Sequence, residues 1–207
     1  MNGENMQEWK NAAEHCRFIL ASQSPRRQEL LARLNRNFEC VPSDADESLE
    51  PGISPREAAA LLAERKAMTV WRQLGGGCWV LGSDTIVVCE DAILGKPEDK
   101  ADAARMLKLL SDRWHEVMTS LALVDPQGEV HSALEVTRVH FTAMTESDIQ
   151  RYIDSGDPMD KAGAYGIQGG ASPFIDRIEG CYYNVVGLPL ARLKKLLAQT
   201  MDKEAAQ

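Results

Sequence analysis

Residues 18–31, Phe18-Ile19-Leu20-Ala21-Ser22-Gln23-Ser24-Pro25-Arg26-Arg27-Gln28-Glu29-Leu30-Leu31, read as a short apolar strand, a turn of small residues and a helix that opens on an arginine pair. Ser24 has an N-cap side chain and Pro25 the fixed φ of a first helical residue, so the helix start is well marked. Arg26 and Arg27 fall in its first turn, where a cation opposes the positive end of the macrodipole at a cost of roughly 0.3–1 kcal/mol when exposed. An arriving anion reverses that cost, and the N–H groups of a helix start already favour one. Ser22 to Arg27 therefore read as a phosphate-binding element. A solvated arginine pair without chemistry is the competing reading; the coincidence of strand, small-residue turn, cap and basic pair favours the first.

Outward from this stretch, 207 residues at 44% hydrophobic composition can bury the core of one large domain or of two closely joined lobes. Residues 17–200 are expected to form that domain, between a flexible N-terminal extension, 1–16, and a short tail, 201–207. No apolar run approaches a membrane span, and Met1 to Cys16 lacks the apolar centre of a signal peptide, so no membrane partner and a cytosolic location are expected. Cys16, Cys40, Cys78, Cys89 and Cys181 are odd in number and scattered, which argues against a zinc site and a disulfide framework; reduced, mostly buried thiols are expected. A formal net charge of -8 argues against a nucleic acid polymer as partner. A small anionic substrate needs only a local cluster of Lys and Arg, with a divalent cation able to mediate between carboxylates and phosphates.

The order of elements alternates. Phe38 to Val41 suggests a short strand before an acidic loop, Ser43 to Pro51, and Ser54-Pro55-Arg56-Glu57 has capping-box spacing ahead of a helix to about Gln73. Cys78 to Leu81 and Ile86 to Cys89 read as strands interrupted at Gly82-Ser83-Asp84-Thr85, and Ala101 to Leu110 as a helix. Val117 to Val124 and Glu129 to Phe141 form a hairpin across Asp125-Pro126-Gln127-Gly128, followed by a helix over Thr145 to Ile153. A Gly-rich loop, Ala162 to Gly170, two short strands around Glu179-Gly180 and an amphipathic helix from about Pro189 complete the chain. This order predicts a mixed α/β (α+β) domain built on a mixed sheet.

Against this background Asp84 stands where an apolar strand breaks, which would bring a carboxylate to the lip of the sheet. There it can hold Mg²⁺ or deprotonate a water; a simple turn aspartate is the other reading. Glu47, in Asp44-Ala45-Asp46-Glu47, is by itself a solvated loop residue. Lys66 borders the apolar face of its helix, either pointing an ammonium into a cleft or snorkelling over the core. Lys96 is a loop lysine without independent signal. In Lys161 to Gly170 the glycines let a backbone approach a ligand closely, while Tyr165 offers stacking and Gln168 an amide. His115 reads as structural. P-loop spacing and a helix-opening G-x-G-x-x-G are both missing from the sequence.

Together these residues resemble the Maf family of nucleoside triphosphate pyrophosphatases, over about residues 18 to 198. The pieces occur in the family's order: Ala21 to Arg27, Asp46-Glu47, Glu64-Arg65-Lys66-Ala67, Gly82-Ser83-Asp84-Thr85, Lys96-Pro97, Lys161 to Gly169 and Asn184-Val185-Val186-Gly187-Leu188-Pro189. The resemblance implies a central mixed twisted sheet flanked by helices, two lobes around a cleft, a fold shared in outline with inosine triphosphate pyrophosphatases, and a homodimer. It also implies hydrolysis of a nucleoside triphosphate to monophosphate and pyrophosphate with Mg²⁺ or Mn²⁺.

By the same resemblance Asp84 matches the catalytic acidic residue, Glu47 a metal-binding or catalytic-support position, and Arg27, Lys66 and Lys96 triphosphate contacts; a metal held by Asp84 and Glu47 is expected to bridge carboxylate and triphosphate. Ser22, Ser24, Lys161 and Tyr165 join the substrate-binding set. The dTTP/UTP subgroup carries Ser-Pro-Arg-Arg, Ser-Asp-Thr and Ile-Gln-Gly, matched by Arg26, Thr85 and Gln168, which are therefore expected to set base specificity. The 7-methyl-GTP subgroup resembles Ser-Pro-Trp-Arg, Ser-Asp-Gln and Ser-Glu-Gly instead. Gln168 can donate to and accept from a neutral pyrimidine edge, whereas a glutamate suits a cationic methylated guanine. Trp114 and Cys181 depart from the family pattern. A nucleotide-binding regulator of cell division, acting through a protein partner, and a house-cleaning enzyme for modified pyrimidine nucleotides are the other functional readings.

Overall fold

The structure, a computed structural model, describes residues 17–204; the expected extension, 1–16, lies outside the described residues. The elements follow the chain as β1 (Phe18–Leu20), α1 (Pro25–Ala32), β2 (Glu39–Cys40), α2 (Pro55–Gln73), β3 (Trp79–Cys89), β4 (Ala92–Leu94), α3 (Lys100–Leu110), β5 (Trp114–Val124), β6 (Val130–Phe141), α4 (Glu146–Asp154), β7 (Ile175–Glu179), α5 (Tyr182–Val186) and α6 (Leu190–Glu204). Among the described residues the strands form one seven-stranded sheet ordered β2-β1-β3-β5-β6-β7, with β4 also on β3. β1 runs parallel to β2 and β3, and the remaining pairs are antiparallel, so the sheet is mixed as expected.

Two local expectations are corrected. The first concerns Gly82-Ser83-Asp84-Thr85, which does not interrupt a strand: β3 is continuous over 11 residues, and each of these four pairs with β5. The break lies in the neighbours instead. Along the other edge of β3, β1 covers residues 79–81 and β4 covers 87–89, leaving the stretch between them without a strand partner. Asp84 thus faces a cleft from mid-strand rather than from a strand end.

The second lies after Gly180, where a strand was expected and α5 is found. Buried Asn184 dictates this: its Nδ2 donates to the Val117 carbonyl at 2.9 Å and to Thr137 Oγ1 at 3.0 Å, drawing the segment under the sheet as a helical turn. Gly180, at φ +130°, makes the reversal that leads into it.

The core divides along β3 into the expected two lobes. Phe18, Leu20, Leu31, Leu81 and Leu193 pack on one face of its first half, and Ile19, Ala63, Ala67 and Val80 on the other. Val87, Leu107, Phe141, Ile153 and Tyr165 fill a separate cluster beneath α3, α4 and the Gly-rich segment. The cleft opens between these clusters. Of the described thiols expected to be mostly buried, Cys78 and Cys89 are, Cys181 is half-buried, and Cys40 is exposed on the short strand β2.

One contact sets how closely α2 approaches the sheet. The buried row Ala59, Ala63, Ala67 and Val70 lets the helix backbone settle on β3, and a Cβ on Gly82 would lie 2.3 Å from the Ala63 carbonyl oxygen and 2.8 Å from the Ala67 nitrogen. No side chain can rotate away to relieve a backbone clash. Gly82→Ala is therefore expected to destabilise the protein by about 2–4 kcal/mol in equilibrium denaturant unfolding; an unchanged midpoint would mean that the two elements are not packed this closely.

Candidate active site

Ser24 caps α1 by accepting from the Arg27 N–H at 3.4 Å, and Ser22 Oγ accepts from the Ser24 N–H at 3.1 Å, so the turn after β1 is wound tightly at the mouth of the cleft. The cleft measures about 920 Å³, within the range of small-molecule sites. Ser22, Ser24, Arg26, Arg27, Glu47, Lys66, Asp84, Thr85, Lys96, Lys161, Tyr165 and Gln168 all line it, so every residue picked out from sequence converges on one place.

Its floor is a tied charge triad. Lys66, one residue before Ala67 on α2, puts Nζ 2.5 Å from Asp84 Oδ1 and 2.7 Å from Glu47 Oε1. The snorkelling alternative for Lys66 is thus overturned: its ammonium turns inward, with its side chain 14% exposed and that of Asp84 11%. Glu47 is carried there by the acidic loop, whose Asp46 and Ser48 carbonyls accept from Arg65 at 3.2 and 2.6 Å. The hydrogen bond from Lys66, aided by the charges of Lys96 and Arg27, holds the Glu47 carboxyl below its usual range.

Above the floor, Arg27 is fixed at two points. Its Nε donates to the Gly187 carbonyl at 3.0 Å and its Nη2 to Thr85 Oγ1 at 3.2 Å. Burial pushes its pKa down, while the charge of Asp84 opposes that. Arg26 lies at the rim with Nη1 4.0 Å from Asp160 Oδ2. Lys96 follows β4 and has no ion-pair partner among the described residues.

Two expected ligand contacts turn out to be engaged elsewhere. The ring of Tyr165 is 5% exposed and meets His115 and Phe141 edge to face, while its hydroxyl lies 2.7 Å from His115 Nε2; it anchors the Gly-rich segment from below. Lys161 has its three ammonium donors taken by the Asp157 carbonyl at 2.5 Å, Asp157 Oδ1 at 3.0 Å and Asp160 Oδ1 at 2.6 Å. Both residues hold the loop that presents exposed Gln168.

Sequence reasoning missed the other members of that cradle, Tyr152 and Asp157. Tyr152 donates to Asp157 Oδ2 at 2.8 Å and accepts from the Gly166 N–H at 3.2 Å, while Asp157 Oδ2 also accepts from the Gly170 N–H at 3.3 Å. Gly169 packs so closely here that a Cβ would stand 2.2 Å from Asp157 Oδ2. The signal lay in the glycines, which mark close approach without naming the partner.

Asp84 and Glu47 bring two carboxylates, the hard oxygen donors that a divalent cation takes, to the cleft floor, where both now meet the Lys66 ammonium. A different cluster, Asp125, Glu129 and His131, lies at the β5–β6 turn, outside the cleft lining. There Asp125 Oδ1 accepts from the Gln127 and Glu129 N–H groups at 2.9 and 2.8 Å, which locks the turn.

A mixed sheet opened along one edge of its central strand, with a buried carboxylate beneath a rim of cations, defines a phosphate-handling α/β protein. The fold is also that of the Ham1 protein of Staphylococcus aureus, which superimposes with a TM-score of 0.54 at 14% identity, covering 91% of this chain and 99% of that one. The chain belongs to the Maf family: the model for Maf-like proteins matches residues 17–200. It is 49% identical over 181 residues to the dTTP/UTP pyrophosphatase of Syntrophomonas wolfei, covering 87% of this chain and 95% of the relative. It is 50% identical over 180 residues to that of Desulforamulus reducens, covering 86% and 94%.

The His115–Tyr165 anchor makes a pH prediction. Burial, with the nearby His140 adding to it, pushes His115 from its ordinary 6.5 down to about 3. The folded state keeps it neutral while the unfolded chain takes up a proton below 6.5, so its contribution is complete above that pH and is lost as pH falls toward 3. Wild type should lose about 1.4 kcal/mol more than His115→Gln between pH 7.5 and 5.5 in denaturant unfolding. Equal losses would mean that His115 titrates normally.

Proposed function

We propose that this protein hydrolyses pyrimidine nucleoside triphosphates, dTTP and UTP, to the monophosphate and pyrophosphate. The observation that carries the reading is the Asp84–Lys66–Glu47 group on the floor of a cleft rimmed by Arg26, Arg27 and Lys96. The choice of substrate is supported by the names of the half-identical relatives and by the Arg26, Thr85 and Gln168 set.

In this reading Arg27, Lys96 and the hydroxyls of Ser22 and Ser24 hold the triphosphate oxygens. Lys66 aligns Asp84, and Asp84 orients the attacking water and accepts its proton. Arg26 and Gln168 meet the base, while Lys161 and Tyr165 keep the Gln168 loop in place. Asp84 and Glu47 would hold Mg²⁺ or Mn²⁺, whose bound charge would offset that of the phosphates and the departing pyrophosphate. A homodimer and a cytosolic setting belong to the same proposal; no described helix is long and apolar enough to cross a membrane.

The test is product analysis. Purified protein with Mg²⁺ should convert UTP and dTTP to UMP and dTMP with one pyrophosphate each, and chromatography against a panel including 5-methyl-UTP and pseudo-UTP should rank the pyrimidines first. Release of orthophosphate, or preference for 7-methyl-GTP, would overturn the assignment. Tight binding without turnover of any nucleotide would favour the regulator of cell division. Asp84→Asn should lower kcat about 10²–10⁴-fold with little change in nucleotide affinity; near-normal turnover would remove it as the base.

A further inference from the structure

Thr85 stands in the specificity set with Arg26 and Gln168, yet the hydrogen bonds around it indicate another task. A carbonyl oxygen only accepts, so the 2.9 Å contact between Thr119 Oγ1 and the Asn184 carbonyl is a donation from Thr119. A hydroxyl has one proton. The 2.9 Å contact between Thr85 Oγ1 and Thr119 Oγ1 is therefore a donation from Thr85, and the Thr85 oxygen faces Arg27 Nη2 at 3.2 Å purely as an acceptor. With its proton committed inward, Thr85 has none to offer a base carbonyl.

The chain ends on a rigid support. Asn184 is fully buried and held by the Val117 carbonyl and Thr137 Oγ1, which fixes the carbonyl that receives the Thr119 proton. The same α5 segment ends at Gly187, whose carbonyl accepts from Arg27 Nε at 3.0 Å and from Ser83 Oγ at 3.3 Å. Both holds on the guanidinium thus trace back to one short helix. An arginine fixed in this way loses less side-chain freedom when an anion arrives.

We infer that Thr119, completely buried beneath the cleft and outside its lining, is a positioning residue for triphosphate binding: it orients the Thr85 hydroxyl, which aims Arg27 at the phosphates. Thr85 then marks the subgroup through the arginine it steers rather than through contact with the base. This rests on the proposed phosphate-holding role of Arg27.

Inorganic tripolyphosphate, which has no base, separates the two tasks. Titration calorimetry without divalent cation should show Thr119→Val and Thr85→Val each binding it about tenfold more weakly than wild type, the size of a lost hydrogen bond to a charged group. The double variant should bind no more weakly than either single one, and Thr119→Ser should bind within about twofold of wild type. The UTP-to-CTP ratio of kcat/KM should stay constant in both valine variants. Wild-type tripolyphosphate affinity in folded Thr119→Val and Thr85→Val, or a change confined to the base ratio, overturns the inference. Arg27→Gln distinguishes its failure from that of the functional reading: if Arg27→Gln weakens binding and the threonine variants do not, only the positioning chain falls; if Arg27→Gln binds normally, the phosphate role of Arg27 falls with it. Should Thr119→Val not fold, Thr85→Val gives the same readout.

Discussion

The arrangement depends on the close seating of α2 on β3 over Gly82. Because Ala63 and Ala67 present almost no side chain and Gly82 none, the helix backbone comes within contact of the strand. Lys66, beside Ala67, is thereby carried down to Asp84, two residues along the strand from Gly82 and on the same face. With larger residues at this seam the ammonium would stand off, and Asp84 would be a buried carboxylate without a partner, a costly state. The gap between β1 and β4 supplies the second condition, since it leaves the middle of β3 open to a ligand while its other edge stays paired with β5.

The electrostatics follow from that geometry. Although the chain carries a net charge of -8, its cleft gathers Arg26, Arg27, Lys66 and Lys96, with Asp84 and Glu47 as the carboxylates on its floor. Lys66 serves both carboxylates at once, and Asp160 shares itself between Lys161 and Arg26. The cations are thus partly balanced before a ligand arrives, which lets them be buried without large repulsion. Arg27 and Lys96 differ: Lys96 has no ion-pair partner among the described residues, and Arg27 is steered by neutral oxygens from Thr85 and Gly187, which leaves its charge for an incoming anion.

Much of this was legible in the sequence. Ser24-Pro25 announced α1, Ser54 and Glu57 formed the expected capping box, and the hairpin fell on either side of Asp125 to Gly128. Misreading Gly82-Ser83-Asp84-Thr85 as a break has a physical source: small and polar residues in a strand signal either interruption or close packing, and only the helix lying across them decides which. The helix after Gly180 was hidden because its cause, Asn184 bonded to Val117 and Thr137, is far away in sequence. The site residues could be chosen by type and order, but not assigned direction. Tyr165 and Lys161 carry the right chemistry for ligand contact and spend it on the loop instead.

In the proposed complex triphosphate and base lie in one orientation, phosphates toward Arg27 and Lys96 with Asp84 beneath, and base toward Arg26 and Gln168. The most direct test is a crystal structure with the α,β-imido analogue of UTP bound. Arg27 is expected on phosphate oxygens, Thr85 turned inward on Thr119, and the uracil edge hydrogen-bonded to the Gln168 amide. A uracil seated against Arg27 and Thr85, with phosphates toward Gln168, would contradict it.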